Sequence, residues 1–266
     1  MPLEALTMLT SRLRQFLPII FLSALWSVAA GCTHCPRCVP SSCPLDVVTS
    51  FSPAVPAGTL QLVVVLQAGS DKERGEVFLF ERRSGEWVSL RGPLPAMVGR
   101  SGFARIGEKR EGDGRTPSGL YTLESAFGYA ATAATKMDYR QATDDDLWVD
   151  DAASPDYNRW VKRGETAALS FEVMRRDDHR YRYGLVTGYN RSPVIPGLGS
   201  AIFVHVWLRD GISTSGCIAL SEPDLLDLLG RLDPVKKPMI LMGRPDELLS
   251  CFGCSSLPES CRQGEP

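Results

Sequence analysis

The sequence predicts a mainly β fold with a few short helices, on three observations. LQLVVVLQ (60–67) is a continuous β-branched run of strand length, EVFLFERR (76–83) and EWVSLR (86–91) flank an SG turn, and AIFVHVWL (201–208) alternates along its length. Helical periodicity is strong in one segment only, the leucine-rich DLLDLLGRL (224–232).

The chain has 266 residues, 44% hydrophobic and 23% charged, enough for one good-sized domain once a targeting segment is set aside. That segment is residues 1–31. Arg12 and Arg14 precede the apolar run FLPIIFLSALWSVAAG and then Cys32, the order of a secretory signal. The run is shorter than the roughly 20 apolar residues of a membrane-spanning helix, and Pro18 interrupts it. Ala29-Ala30-Gly31-Cys32 resembles a bacterial lipobox, with Ala29 where Leu is usual, which implies lipid attachment at Cys32 and an N-terminal lipid anchor in a membrane. Plain secretion after Ala30 or Gly31 is the alternative; either way the protein is expected to be exported to the cell envelope or periplasm. A net charge of −2 and the lack of any long basic run argue against nucleic acid as a partner.

Eight cysteines fall into three groups. Cys32, Cys35, Cys38 and Cys43 open the mature chain, Cys251, Cys254 and Cys261 close it, and Cys217 alone lies inside the domain. With Cys32 lipidated and Cys217 a working thiol, six remain for disulfides in an oxidising compartment, and their pairing is open. The rival, a metal site built from CTHC and CFGC, is disfavoured because the two pairs lie far apart in sequence. Residues 32–59, rich in Pro, Ser and Cys, read as a tether with little core of its own, and 244–266 as a Cys-containing tail. The domain is therefore expected over 60–243.

Within it, GDGRTPSGLYTLESAFGYA (112–130) carries a strand at GLYTLE, without the Lys-Ser/Thr that would make its glycines a phosphate loop. Asp144, Asp145 and Asp146 are expected in a solvated loop, since their spacing is not that of a calcium loop. RRDDHRYRYG (175–184) has the look of a solvent-facing hairpin, with His179 exposed. In AIFVHVWL, Ile202, Val204, Val206 and Leu208 form a purely apolar face for the core. Ala201, Phe203, His205 and Trp207 form the other, which looks like a pocket wall. Ser221 is placed to cap a helix with Pro223 and Asp224 in its first turn, and PMILMG (238–243) is a last strand.

A cysteine attacks a carbonyl as its thiolate, and a nearby imidazole can take the proton. His205 lies twelve positions before Cys217, on a confident strand, and Gly216 allows a tight turn that exposes the sulfur. On these residues alone, a core histidine beside a buried thiol is the commoner explanation of the pattern.

The segment from His205 to Thr214-Ser215-Gly216-Cys217-Ile218 resembles the L,D-transpeptidase catalytic domain (YkuD-like), whose signature is a strand histidine followed by Ser/Thr-x-Gly-Cys and an apolar residue. GDGRTPSGLYTL matches that family's Thr-Pro-x-Gly segment, and DDAASPDYNRWV with YNRSPVIPGLGSAIFVHVW is similar to a bacterial branch of it. The resemblance spans about 60–243. It implies a β-sandwich or barrel-like catalytic domain and a cysteine acyltransferase acting on peptidoglycan stem peptides in the service of cell-wall organisation and cell shape, without metal or organic cofactor. Cys217 would be the acylated nucleophile, His205 its base, and Gly216 with the backbone of Ser215 to Cys217 the oxyanion hole; Thr214 would steady the histidine or the turn. Ser215, Ala219 and Glu222 depart from the commonest pattern, which has a second histidine, an arginine and an asparagine there. Candidates to hold a substrate carboxylate are Arg100, Arg105, Arg115 and Arg159, with Tyr157, Asn158, Trp160, Tyr189 and Asn190 as candidate pocket walls. The same thioester resolved by water would make a carboxypeptidase or amidase, and a non-catalytic peptidoglycan-binding lipoprotein is a further alternative.

Overall fold

The structure, a computed structural model, describes residues 43–252, with side chains to Ser250. The signal segment, Cys32, and the side chains of the cysteines expected to pair, Cys43 apart, lie outside the described residues, as does the suggested CTHC and CFGC metal site. Cys43 is exposed with a free thiol, so it lends the disulfide expectation no support. Among the described residues no helix is long and apolar enough to cross a membrane.

The described residues belong to one compact unit. It opens with α1 (Pro44–Phe51), followed by a single 3-10 turn. Five strands come next: β1 (Gln61–Gln67), β2 (Arg74–Arg83), β3 (Glu86–Met97), β4 (Gly119–Gly128) and β5 (Tyr139–Gln141). β6 (Asp146–Val149), β7 (Trp160–Lys162) and β8 (Phe171–Val173) form a small separate sheet in the order β7-β6-β8. The described residues end with β9 (Tyr183–Thr187), β10 (Phe203–Val206), β11 (Ile218–Leu220), α2 (Glu222–Arg231), β12 (Met239–Gly243) and α3 (Pro245–Phe252).

The large sheet runs β12-β1-β2-β3-β11-β10-β9-β4-β5, and β4 pairs again with β12. Gly119–Thr122 of β4 lies antiparallel to β12, while Leu123–Gly128 lies antiparallel to β9. One long strand thus serves two neighbours and closes the sheet into a barrel-like ring. β10 and β11 run parallel within it, pairing His205 with Ala219.

Strand alternation sorts the core. Val63 and Val65 of β1 point into the ring with Val204 and Val206 of β10, Ile218 of β11 and Ile240 of β12. The same core takes Leu225, Leu228 and Leu229 from α2 and Leu232 just past its end, each fully buried leucine contributing about 2 kcal/mol. Ser221 caps α2 by accepting from Asp224 N, as the sequence predicts. Leu62, Val64 and Leu66 point the other way, under Val47, Val48 and Phe51 of α1 and Leu248 of α3. A strand buried on both faces reads as an unbroken apolar run, which is what 62–66 is. The β2–β3 turn, Ser84-Gly85, has φ of 51° and 90°, the left-handed pair a two-residue hairpin needs.

Four expectations need correction. Residues 44–55 are not a tether: Val47, Val48, Phe51 and Val55 are buried against β1 and β3. The tail does not begin at 244 either, because α3 packs on α1 and Glu247 accepts from Ile106 N. The strand 201–208 is shorter than its alternation suggests, and Leu208 is 52% exposed rather than core. Asp146 is fully buried, whereas Asp144 and Asp145 are exposed.

Candidate active site

Cys217 immediately precedes β11 and His205 lies in β10, so the parallel pairing of two short central strands brings both to one place. They line one cavity of about 130 Å³ together with Thr214, Ser215, Glu172, Arg176, Arg180 and Tyr181. His205 is 4% exposed and Cys217 8%.

The turn before Cys217 is held by two threonines. Thr214 Oγ1 donates to Cys217 O at 2.7 Å and accepts from Gly216 N at 3.1 Å, while Thr116 of the TPSG segment donates to the same carbonyl at 3.5 Å. Thr214 therefore steadies the turn rather than the histidine. Gly216 has φ 149°, and a Cβ there would stand 2.8 Å from Arg115 O, so the backbone passes where only glycine fits. Its N–H is committed to Thr214, which leaves the amides of Ser215 and Cys217 for the oxyanion role expected of this turn.

The thiol donates to Ala201 O at 3.0 Å and accepts from Phe203 N at 3.4 Å. Burial pushes its pKa up to about 12. Burial likewise pulls His205 down to about 4, against the hydrogen bond it makes to Val206 O at 2.8 Å. A carbonyl cannot donate, so Nδ1 carries the proton and Nε2 keeps its lone pair. Both groups are therefore uncharged near neutral pH.

Opposite stands a wall the sequence did not announce. The Tyr181 ring meets His205 edge-on at 5.3 Å and Phe203 at 5.6 Å, and Phe203 packs on Trp148 and Phe127. The Tyr181 hydroxyl donates to Glu172. Burial raises the Glu172 carboxyl above its ordinary pKa despite that bond and the guanidinium of Arg176 at 3.5 Å. Arg176 and Arg180 share Asp178, at 2.8 and 3.2 Å. The segment expected to be a solvent-facing hairpin thus supplies Arg176, Arg180 and Tyr181 to the cavity, while His179 is exposed as expected. Its dense alternation of opposite charges was the available signal, since charges that pair with one another can be drawn inward.

The remaining candidates are not part of this cavity. Tyr157 donates to Glu111 at 2.5 Å and accepts from Gly199 N at 3.0 Å. Tyr189 donates to Leu198 O, and Asn190 brackets Ile195 and Gly199. These residues brace the loop that leads into β10. Asn158 does so closest to the sulfur: its Oδ1 accepts from Trp148 Nε1 and from Ala201 N, fixing the residue whose carbonyl receives the thiol. Trp160 donates to Asp146 at 2.7 Å under the guanidinium of Arg140. Arg105, Arg115 and Arg159 are exposed, and exposed Arg100 reaches the site's rim by donating to Ser215 Oγ at 3.0 Å. Ala219, where many members of the family carry an arginine, is 1% exposed and pairs with His205 on one side and Met97 on the other.

Among the described residues no group of three or more His, Cys, Asp or Glu could hold a metal. A family model described as the L,D-transpeptidase catalytic domain matches residues 71–241. Among solved structures, that of the helical cell shape determining protein Pgp2 from Campylobacter jejuni is similar at 16% identity with a TM-score of 0.35, covering 77% of this chain. The match covers 60% of that protein's chain, less than two thirds of its length, and at this score the likeness carries no structural weight. No match was found among curated proteins.

Proposed function

The chain belongs to the family of L,D-transpeptidase catalytic domains, and on that premise we propose that it is a cell-envelope cysteine acyltransferase acting on peptidoglycan stem peptides. The observation that carries this is the single cavity shared by Cys217, a neutral His205 and the tight Thr214–Cys217 turn.

In this mechanism the carbonyl of a stem-peptide amide enters the well and displaces the thiol from Ala201 O. His205 Nε2 takes the proton as sulfur attacks, and the amides of Ser215 and Cys217 meet the developing oxyanion. Collapse expels the terminal amine, protonated by His205, and leaves a thioester on Cys217. An amine of a second stem then displaces the sulfur, forming a cross-link. Arg176 and Arg180, rather than Arg100, Arg105, Arg115 or Arg159, are the arginines best placed to hold a substrate carboxylate. They stand in for the arginine that this chain lacks at Ala219. Export and a lipid anchor at Cys32 fit this work at the envelope.

Intact mass after exposure to a carbapenem-type acylating agent tests the nucleophile. One adduct is expected on the wild type and none on Cys217→Ala, while His205→Ala should slow stem-peptide turnover by about 10²–10⁴-fold. An adduct that persists in Cys217→Ala would sink the proposal. Incubation with muropeptides then separates transfer, which yields a linked dimer, from hydrolysis, which yields only a shortened stem. Neither product would point to a binding lipoprotein.

A further inference from the structure

A second cavity adjoins the well. It is an open cleft of about 620 Å³ along β8 and the turn after it, and Glu172 and Arg176 line both spaces. The well, at about 130 Å³, has room for only a few non-hydrogen atoms beyond those of a thioester. Whatever resolves that thioester from the cleft side passes these two side chains.

An amine arriving near neutral pH is an ammonium, since ordinary alkylamines titrate near pH 10, and an ammonium has no lone pair for attack. It needs an anion to draw it in and a base to take one proton. Of the two groups at the junction only Glu172 can do either. Its side chain is 30% exposed, and the Tyr181 hydroxyl fixes it in place beside the ring that contacts His205. Arg176, 3.5 Å from the same carboxylate, supplies the opposite charge for an acceptor that carries a carboxylate next to its amine.

We propose that Glu172 is the acceptor residue of this site: it receives the ammonium of the incoming amine at the junction of cleft and well, and so biases the thioester towards transfer over hydrolysis. The proposal rests on the acyl-enzyme at Cys217. In the step, one ammonium proton passes to the Glu172 carboxylate. The freed nitrogen lone pair attacks the thioester carbonyl, the C–N bond forms and the C–S bond breaks. A second nitrogen proton returns through His205 to the sulfur, leaving an amide, a neutral thiol and a protonated Glu172 that later loses its proton to solvent. The raised proton affinity of this partly buried carboxyl suits a base for this transfer.

The test uses the full chain, a tetrapeptide-stem muropeptide as donor and glycine as acceptor. Intact mass first establishes the acyl-enzyme before glycine is added, and products are then read as amide against free acid. In the wild type the rate at which preformed acyl-enzyme is lost to amide should saturate with glycine concentration. In Glu172→Gln the amide-to-acid ratio should fall by about ten-fold or more, with partial recovery in Glu172→Asp. A strictly linear glycine dependence in the wild type, or a ratio in Glu172→Gln within about two-fold of wild type, overturns the proposal. The wild-type saturation curve decides the matter even if the variants do not fold. Absence of any acyl-enzyme in the wild type overturns the Cys217 assignment and this proposal with it, and that failure is visible before glycine enters.

Discussion

The two walls of the well are built on different principles. The wall of β10 and β11 is backbone: His205 and Cys217 are placed by strand pairing, by the threonine-held turn and by a thiol bonded to main-chain atoms. The facing wall, from Glu172 to Tyr181, is side chain: a carboxyl, two guanidiniums and a phenol held by one another across a strand of three residues and a charged turn. The first places the thiol and the imidazole. The second sets charge and shape around them.

If the walls differ in this way, the largest stability loss short of unfolding should come from the node that holds the second wall to the barrel. Buried Asp146 accepts from Thr143 N and Oγ1 and from Trp160 Nε1, and pairs with Arg140 and Lys162. Asp146→Ala should cost about 3 kcal/mol in urea denaturation, because five donors lose their acceptor. A cost under about 1 kcal/mol would mean the small sheet is held by its aromatic packing instead.

The first wall should show itself in acid. His205 has a folded pKa near 4 against an ordinary 6.5, so between those values the unfolded chain binds a proton that the folded chain refuses. The stability this represents is present above pH 6.5 and lost as pH falls, about 2 kcal/mol by pH 5. The Asp146 carboxyl, held well below its ordinary 3.8, makes its own loss only below that pH. Denaturation of wild type and His205→Gln at pH 7 and pH 5 should therefore show a smaller acid loss in the variant. Equal losses would place the acid sensitivity elsewhere.

The smallest effect belongs to the rim between the walls. Ser215 Oγ accepts only from exposed Arg100 among the hydrogen bonds described for that atom. Ser215→Ala should change turnover by less than about two-fold and stability by less than about 0.5 kcal/mol. A large fall in turnover would give its hydroxyl the role of the histidine commonest at that position.

The same contrast explains what the sequence disclosed. Alternation in 201–206 sorted His205 and Phe203 from Ile202, Val204 and Val206, because a strand in a closed sheet enforces a period of two. It failed at Leu208, just past the end of β10, where no pairing enforces it. The Ser221 cap and the leucines of α2 were legible for the same local reasons. Glu172, Arg176 and Arg180 were not, because a charged residue is driven inward only by a partner, and the pairs Glu172–Tyr181 and Arg176–Asp178 appear only once the turn has formed. Asn158 was noticed for its company and not for its task, which is to hold Ala201 by a contact 43 positions away. The helix at 44–51 escaped notice because Pro and Ser dominate its surroundings while only three of its residues carry the burial.

The place of β12 has a consequence for shorter forms of the chain. It answers β1 on one side and β4 on the other, joining the first strand of the ring to the strand that spans two neighbours. A chain cut before Met239 would keep both of those partners and lose what lies between them, leaving two bare edges across a gap one strand wide. Such a gap fits a strand from another molecule as well as its own. Shortened chains should then associate through these edges, instead of settling into a narrower barrel.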